Sequence, residues 1–258
     1  LNTIILSLII PAQNDEMSLA LVIQEALAIV PHHVEDFELI IVDAGSRDRS
    51  MQVAAQLAAQ HEPVVVLRPR QAGYGHALRY ALEAARGTMI LLIDANRHVS
   101  LSDLARVLPV AEQAEVVLGY RSLESKAGRP TSSDFIRNLG AALFGISARD
   151  LDCGFKLFAS SLLRSLDLQT SGNLIDIEIV AKAEWQGARV REVAINYDPA
   201  IRAVERQASW GELWQLWRVM AAYRLQHAGP KRSWSQRALF GGLGALLLAC
   251  LYAIRRRS

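Results

Sequence analysis

Two cysteines in 258 residues are too few for a disulfide framework, and Cys153 and Cys250 stand too far apart in sequence to suggest a zinc cluster. No G-x-G-x-x-G follows the first strand-like run, which argues against a dinucleotide-dependent oxidoreductase. That run, TIILSLIIP from Thr3, is too short and too quickly followed by polar residues for a secretory signal, so the globular part is expected in the cytoplasm. A large excess of charge is missing too, since the net value is +2.

The small net charge hides an uneven distribution. From Arg202 onward ten Lys or Arg face two acids, a net of +8, which leaves −6 for residues 1–201. Within that basic part lies ALFGGLGALLLACLYAI, Ala238 to Ile254, seventeen residues without a charge, preceded by Lys231, Arg232 and Arg237 and followed by Arg255, Arg256 and Arg257. As a helix it would measure about 25 Å against a hydrocarbon layer of about 30 Å, enough to span with local thinning or by lengthening into its flanks. The alternative is a helix buried against a partner. Gly241, Gly242 and Gly244 would suit helix association and hence a homo-oligomer. The uninterrupted apolar residues turn the basic tail toward a membrane and away from nucleic acid.

The rest of the chain alternates apolar strands with amphipathic helices. Strand-like runs at residues 3–10, FELIIVD, PVVVL and TMILLID are separated by helical spacing over 16–30, 48–60 and 73–87. This pattern predicts an α/β fold with a mostly parallel sheet covered on both faces. Further elements are predicted at AEVVLGYR (strand), 133–145 (helix), DLDCGFK (turn), 174–186 (helix) and ARVREVAINY (strand). A last helix, SWGELWQLWRVMAAYRLQ, carries Trp210, Leu213, Trp214, Trp217, Met220, Ala221 and Arg224 along one face. Such a stripe packs a core or lies at a membrane interface, and the neighbouring basic linker favours the interface. Ligands of parallel sheets collect beyond the carboxyl ends of strands, where PAQNDE, DAGS and DAN bring acids and amides together.

These blocks, in order, resemble the family 2 glycosyltransferases of the GT-A fold, and within them the dolichyl- or polyprenyl-phosphate sugar synthases. IIPAQNDE is similar to I-P-x-Y-N-E, IIVDAGSRDRS to V-D-D-G-S-x-D-x-S/T, and GYGHALRYALEAARG to the Gly-rich start of the third helix. LLIDANRHVS matches the D-x-D strand, LGYR matches G-x-R, and DLDCGFKLF matches D-x-x-C/S-G-F-K/R. DIEIVAKAEWQGARVREVAINY continues the likeness, which runs from Ile4 to about Tyr197.

The resemblance implies a GT-A domain over residues 1–201, to which the basic tail adds an amphipathic juxtamembrane segment over 202–237 and a candidate transmembrane helix over 238–254. It implies an inverting transfer of sugar from a nucleotide-sugar donor to a lipid phosphate, whose ionised oxygen attacks the anomeric carbon with no obligatory general base. Pro11, Ala12, Asp15 and Asp43 become candidates for the base and ribose, and Gly75 for backbone approach to a phosphate. Asp43 also reads as a turn residue before Ser46 and Asp48. Asp94 would hold a divalent metal, Mg²⁺ or Mn²⁺, with Asn96 and His98 as further ligands, a set that shifts preference toward Mn²⁺. Arg121 and Arg137 stand where relatives carry arginines for the lipid phosphate, although an ordinary surface pair would look the same. Lys156 would contact that phosphate or salt-bridge locally.

The chain also departs from the pattern. Asn96 replaces the second acid of D-x-D, Ala44 replaces one acid of D-D-G-S, and Gln13 replaces the common Tyr. The R-x-x-G-x-S-K segment is present only as IRAVERQASW, leaving Arg202 or Arg206 as the diphosphate clamp. Two other readings therefore accompany the first: a GT-A domain that binds a nucleotide sugar or scaffolds a complex without turnover, and a transferase with another lipid or glycan acceptor.

Overall fold

The computed structural model describes residues 5–95, 99–121, 138–139, 141, 144–146, 148–151, 153–196 and 209–227. The first half consists of β1 (Ile5–Ala12), α1 (Leu19–Ile29), β2 (Asp36–Asp43), α2 (Ser50–Gln60), β3 (Val64–Leu67), α3 (Tyr74–Ala84) and β4 (Met89–Ile93). The second half holds α4 (Leu104–Ala111), β5 (Val116–Arg121), β6 (Phe155–Ala159), α5 (Ser160–Ser165), α6 (Ile175–Trp185), β7 (Val190–Ile195) and α7 (Trp210–His227). The described strands form one sheet in the order β3-β2-β1-β4-β6-β5-β7. Neighbours pair in parallel except for β6, which runs antiparallel to both β4 and β5.

Period-two alternation divides the sheet's side chains between two cores. Ile9, Ile40, Val42, Ile90 and Leu92 face α3, α6 and α7, whereas Leu8, Ile10, Leu39, Ile41 and Leu91 face α1, α2 and α4. Both faces are covered, which is why the strands read as continuous apolar runs.

β6 was not legible as a strand, because DLDCGFK reads as a turn and Ser160 opens α5 immediately after Ala159. Helices α4, with Pro109 inside it, and α5, only six residues long, were also missed. The start of α1 shifts from the predicted Glu16 to Leu19 because Asp15 O accepts the Ser18 and Leu19 N–H groups at 3.1 and 2.9 Å, closing a turn first. The predicted helix at 133–145 falls largely outside the described residues.

The final helix packs into the domain. Leu213, Leu216 and Met220 are fully buried, and Trp210, Trp214 and Trp217 pack half-buried beside them. Part of the predicted 202–237 segment thus completes the core of the predicted 1–201 domain. Ser209 and Glu212 close the helix start with a reciprocal cap, Ser209 N donating to Glu212 Oε2 at 2.8 Å and Glu212 N to Ser209 Oγ at 3.2 Å. Among the described residues no helix is long and apolar enough to cross a membrane, and 238–254 lies outside them.

One buried carboxylate pins the strands at their other end. Glu38 Oε1 accepts from Ser7 Oγ and Arg86 N, both at 2.6 Å, and Oε2 accepts from Arg86 Nε at 3.0 Å. Burial alone would raise the Glu38 carboxyl, but these donors and the guanidinium charge outweigh it and hold the group below the usual range. A lowered folded-state pKa contributes stability above the unfolded-state value, near 4.5, and that stability is lost as pH falls through the folded one. Glu38→Gln is expected to lower stability at neutral pH and to flatten its decline below that value, as read from urea unfolding midpoints across the acid range.

Candidate active site

The ladder places three acids on one rim. Ala12 lies opposite Asp43 at the carboxyl ends of β1 and β2, and Ile9 opposite Leu92 brings the end of β4, followed by Asp94, alongside. Asp15 follows in the loop after β1, so Asp15, Asp43 and Asp94 share one edge of the sheet.

The loops after β1 and β2 are stitched into one wall. Asp15 N donates to Ser50 Oγ at 2.8 Å, Glu16 N to Asp48 Oδ2 at 3.1 Å, Arg47 N to Asn14 Oδ1 at 2.9 Å and Arg49 N to Glu16 Oε2 at 2.9 Å. Asn14 adopts φ +62°, a left-handed conformation that asparagine tolerates better than most residues. Asp48 is raised by burial, yet hydrogen bonds from Ser50 and Glu16 outweigh that and keep its carboxyl low. Pro11 and Ala12 are buried, so they offer the rim backbone only, and Ala12 O already accepts from Ala44 N at 2.9 Å. Asp15 Oδ2 accepts from Gln13 N at 2.7 Å. Asp43 Oδ1 accepts from Gly45 N and Ser46 N at 2.9 and 2.7 Å, which is the turn role. Oδ2 takes no hydrogen bond from the described residues.

Gly75 serves close packing. Its N–H donates to Ser171 O at 3.1 Å, and a β-carbon there would stand 2.6–2.8 Å from the backbone of Thr170 and Ser171. The missing side chain therefore makes room for the loop at Thr170 and Ser171.

Around Asp94 the backbone is equally crowded. Asp94 N donates to Gly154 O at 3.2 Å, in the turn that precedes β6. Next to it, burial and then the Asp150 charge push the Cys153 thiol up to about 12, so it stays protonated. Arg121, expected at a lipid phosphate, closes its fork on Asp150 instead, with Nε–Oδ2 at 2.7 Å and Nη2–Oδ1 at 2.8 Å. Lys156 is buried and donates to Asp176 Oδ2 at 3.3 Å, while Tyr74 Oη reaches the same carboxylate at 3.4 Å. The local salt bridge is thus the contact Lys156 makes. Asn96, His98, Arg137, Arg202 and Arg206 lie outside the described residues.

The model for glycosyl transferase family 2 matches residues 7–165, more than half of the chain. The chain belongs to glycosyl transferase family 2. This family 2 chain is 28% identical over 164 residues to the undecaprenyl-phosphate 4-deoxy-4-formamido-L-arabinose transferase of Photorhabdus laumondii, covering 62% of the chain and 50% of that protein. It is 30% identical over 216 residues to the dolichyl-phosphate beta-glucosyltransferase of Drosophila melanogaster, covering 74% and 66%. It therefore spans about half to two thirds of the length of such curated relatives. The crystal structure of glucosyl-3-phosphoglycerate synthase from Mycobacterium tuberculosis superposes with a TM-score of 0.64 at 23% identity, covering 89% of this chain and 82% of that one, which shows the GT-A fold.

Several residues that organise this family 2 domain were not singled out in the sequence. Glu178, fully buried, accepts from Gln169 N at 2.9 Å, Thr170 N at 2.7 Å and Lys182 Nζ at 2.6 Å. Lys182 also donates to Asp167 O at 2.7 Å and lies 4.6 Å from the Tyr223 ring centroid. The D-x-E at the start of α6 and the i, i+4 spacing to Lys182 were the available signals. A cavity of about 510 Å³ lined by Asp167, Gln169, Lys182, Trp214, Arg218 and Tyr223, among others, contains none of the rim residues.

Proposed function

We propose that this family 2 chain transfers a sugar, with inversion, from a nucleotide-sugar donor to a polyprenyl phosphate at the cytoplasmic face of a membrane. The observation that carries the reading is the shared rim of Asp43 and Asp94 in a chain collinear with the family over residues 7–165. The polyprenyl-phosphate acceptors printed in the names of the curated relatives support the acceptor class.

A divalent cation, Mg²⁺ or Mn²⁺, suits the rim in one specific mode. Among the described residues no three His, Cys, Asp or Glu side chains cluster to hold a metal. A hard ion in a nucleotide site, however, commonly takes one carboxylate and fills its shell with diphosphate oxygens and water, and Asp94 supplies that carboxylate. Bound there, the ion would offset the charge developing on the departing diphosphate. Asn96 and His98 are the further ligands proposed.

In the transfer, an acceptor phosphate oxygen forms a bond to the anomeric carbon as the bond to the nucleoside diphosphate breaks on the opposite face. An acceptor phosphate already ionised has no proton to give up, so the chain's task is to orient and to balance charge. Arg137, with Arg202 or Arg206, is proposed for the two phosphates, because Arg121 and Lys156 serve carboxylates of the protein. Membrane attachment is assigned to residues 238–254 and the cationic residues beside them.

The test is incubation of the full chain in liposomes containing undecaprenyl or dolichyl phosphate with a panel of radiolabelled nucleotide sugars and Mn²⁺ or Mg²⁺. A lipid-linked sugar is the expected product. Donor binding by calorimetry without product on any lipid would overturn transfer and favour the binding-only reading that Asn96 suggests.

A further inference from the structure

We infer that Cys153 and Gly154, just ahead of β6, form a built seat for the Asp94 carboxylate, with Gly154 as its positioning residue. The inference rests on the proposed reading that Asp94 faces the donor diphosphate. A β-carbon at Gly154 would stand 2.2 Å from Asp94 Oδ2, 2.5 Å from Cγ and 2.9 Å from Cβ, closer than real β-carbons approach such atoms. The positive-φ glycines of the described chain are Gly45, Gly73, Gly145 and Gly187, and Gly154 is not among them. Space, and not backbone angle, is what demands glycine here. The side chain that Gly154 lacks would occupy the volume the carboxylate fills.

The seat is fixed from several directions. The Asp94 N–H donates to Gly154 O, so backbone and carboxylate of Asp94 are both referenced to one residue. Cys153, buried, donates its N–H to Asp150 O at 3.2 Å. Asp150 in turn holds Arg121 through the backbone N–H at 3.1 Å and two guanidinium nitrogens at 2.7 and 2.8 Å. Beyond Gly154, Phe155 is fully buried opposite Ile93. With Cys153 bonded to Asp150 on one side and Phe155 paired in the sheet on the other, it is the Asp94 side chain that must yield to an added methyl. Arg121 then acts through Asp150 and Cys153, as a brace for the carboxylate.

The test is a double-mutant cycle in the full chain with Gly154→Ala, Asp94→Gly and both together, following melting temperature without metal and Mn²⁺ affinity in the presence of UDP by electron paramagnetic resonance. Gly154→Ala is expected to lower the melting temperature by several degrees in the natural background and by much less beside Asp94→Gly, because the atoms it meets are then gone. In the folded Gly154→Ala protein Mn²⁺ affinity is expected to fall at least about tenfold, as for a displaced ligand or its support. Equal melting shifts in the two backgrounds, or unchanged Mn²⁺ affinity beside a natural chain that binds, overturn the seat. A natural chain that binds no Mn²⁺ with UDP, while the cycle stays non-additive, sinks the donor-site reading and leaves the seat standing. Should Gly154→Ala not fold, recovery of folding in the double variant supports the seat and its absence overturns it.

Discussion

Asp94→Ala is expected to lower sugar transfer by about 10²–10³-fold, the loss typical of removing one group that stabilises developing charge. The reason lies in how few carboxylates the strand end carries. A D-x-D site shares its charge between two acids, whereas here the second position is Asn96, whose amide carries no charge. No neighbouring acid of that motif can take over, so the whole deficit falls on the departing diphosphate. Asp94→Asn, with the same shape and no charge, should lose nearly as much, which separates charge from packing. Steady-state rates over a range of donor concentrations with Mg²⁺ and with Mn²⁺ decide the matter, and a transfer rate within a factor of two of the natural chain would show that the chemistry does not run through this rim.

The second large effect concerns stability. Lys182→Ala is expected to cost about 3–5 kcal/mol, because it strands the fully buried Glu178 carboxylate without its cation. The two side chains are 1% and 0% exposed and meet at 2.6 Å, and Lys182 also supports Asp167 O and the Tyr223 ring. The damage should spread along the chain: Glu178 holds the Gln169 and Thr170 N–H groups, and Ser171 O beyond them receives Gly75 N at the start of α3. Urea unfolding measures the loss. Lys182→Met combined with Glu178→Gln should recover part of it, since neither charge then remains buried alone; a double variant as weak as Lys182→Ala would refute the pairing argument.

The sheet's first half was readable because β1, β2 and β4 are uninterrupted apolar runs, and the acids at their ends were placed correctly on one rim for the same reason. FKLFA of β6 hid because Lys156 interrupts it, and the partner that makes a buried lysine tolerable, Asp176, comes twenty residues later. Arg121 shows the same difficulty: its partner Asp150 is 29 residues on, so a guanidinium waiting for a phosphate and one already satisfied by a carboxylate look identical in a string of letters. In α6 every residue from Ile175 to Ala183 is buried, so no polar face distinguished Glu178 and Lys182 from an ordinary surface pair. Gly75 invited a phosphate reading because a glycine at a helix start does not reveal which backbone approaches it.

The reversed direction of β6 has a consequence for diversification. β5 ends and β6 begins at the same rim, and Arg121 and Asp150 staple those two ends together. The two ends of the connection between β5 and β6 are therefore held together whatever runs between them. A change of length between those two ends need not shift the register of the strands, so sequence between Arg121 and Asp150 can vary at little cost to the sheet.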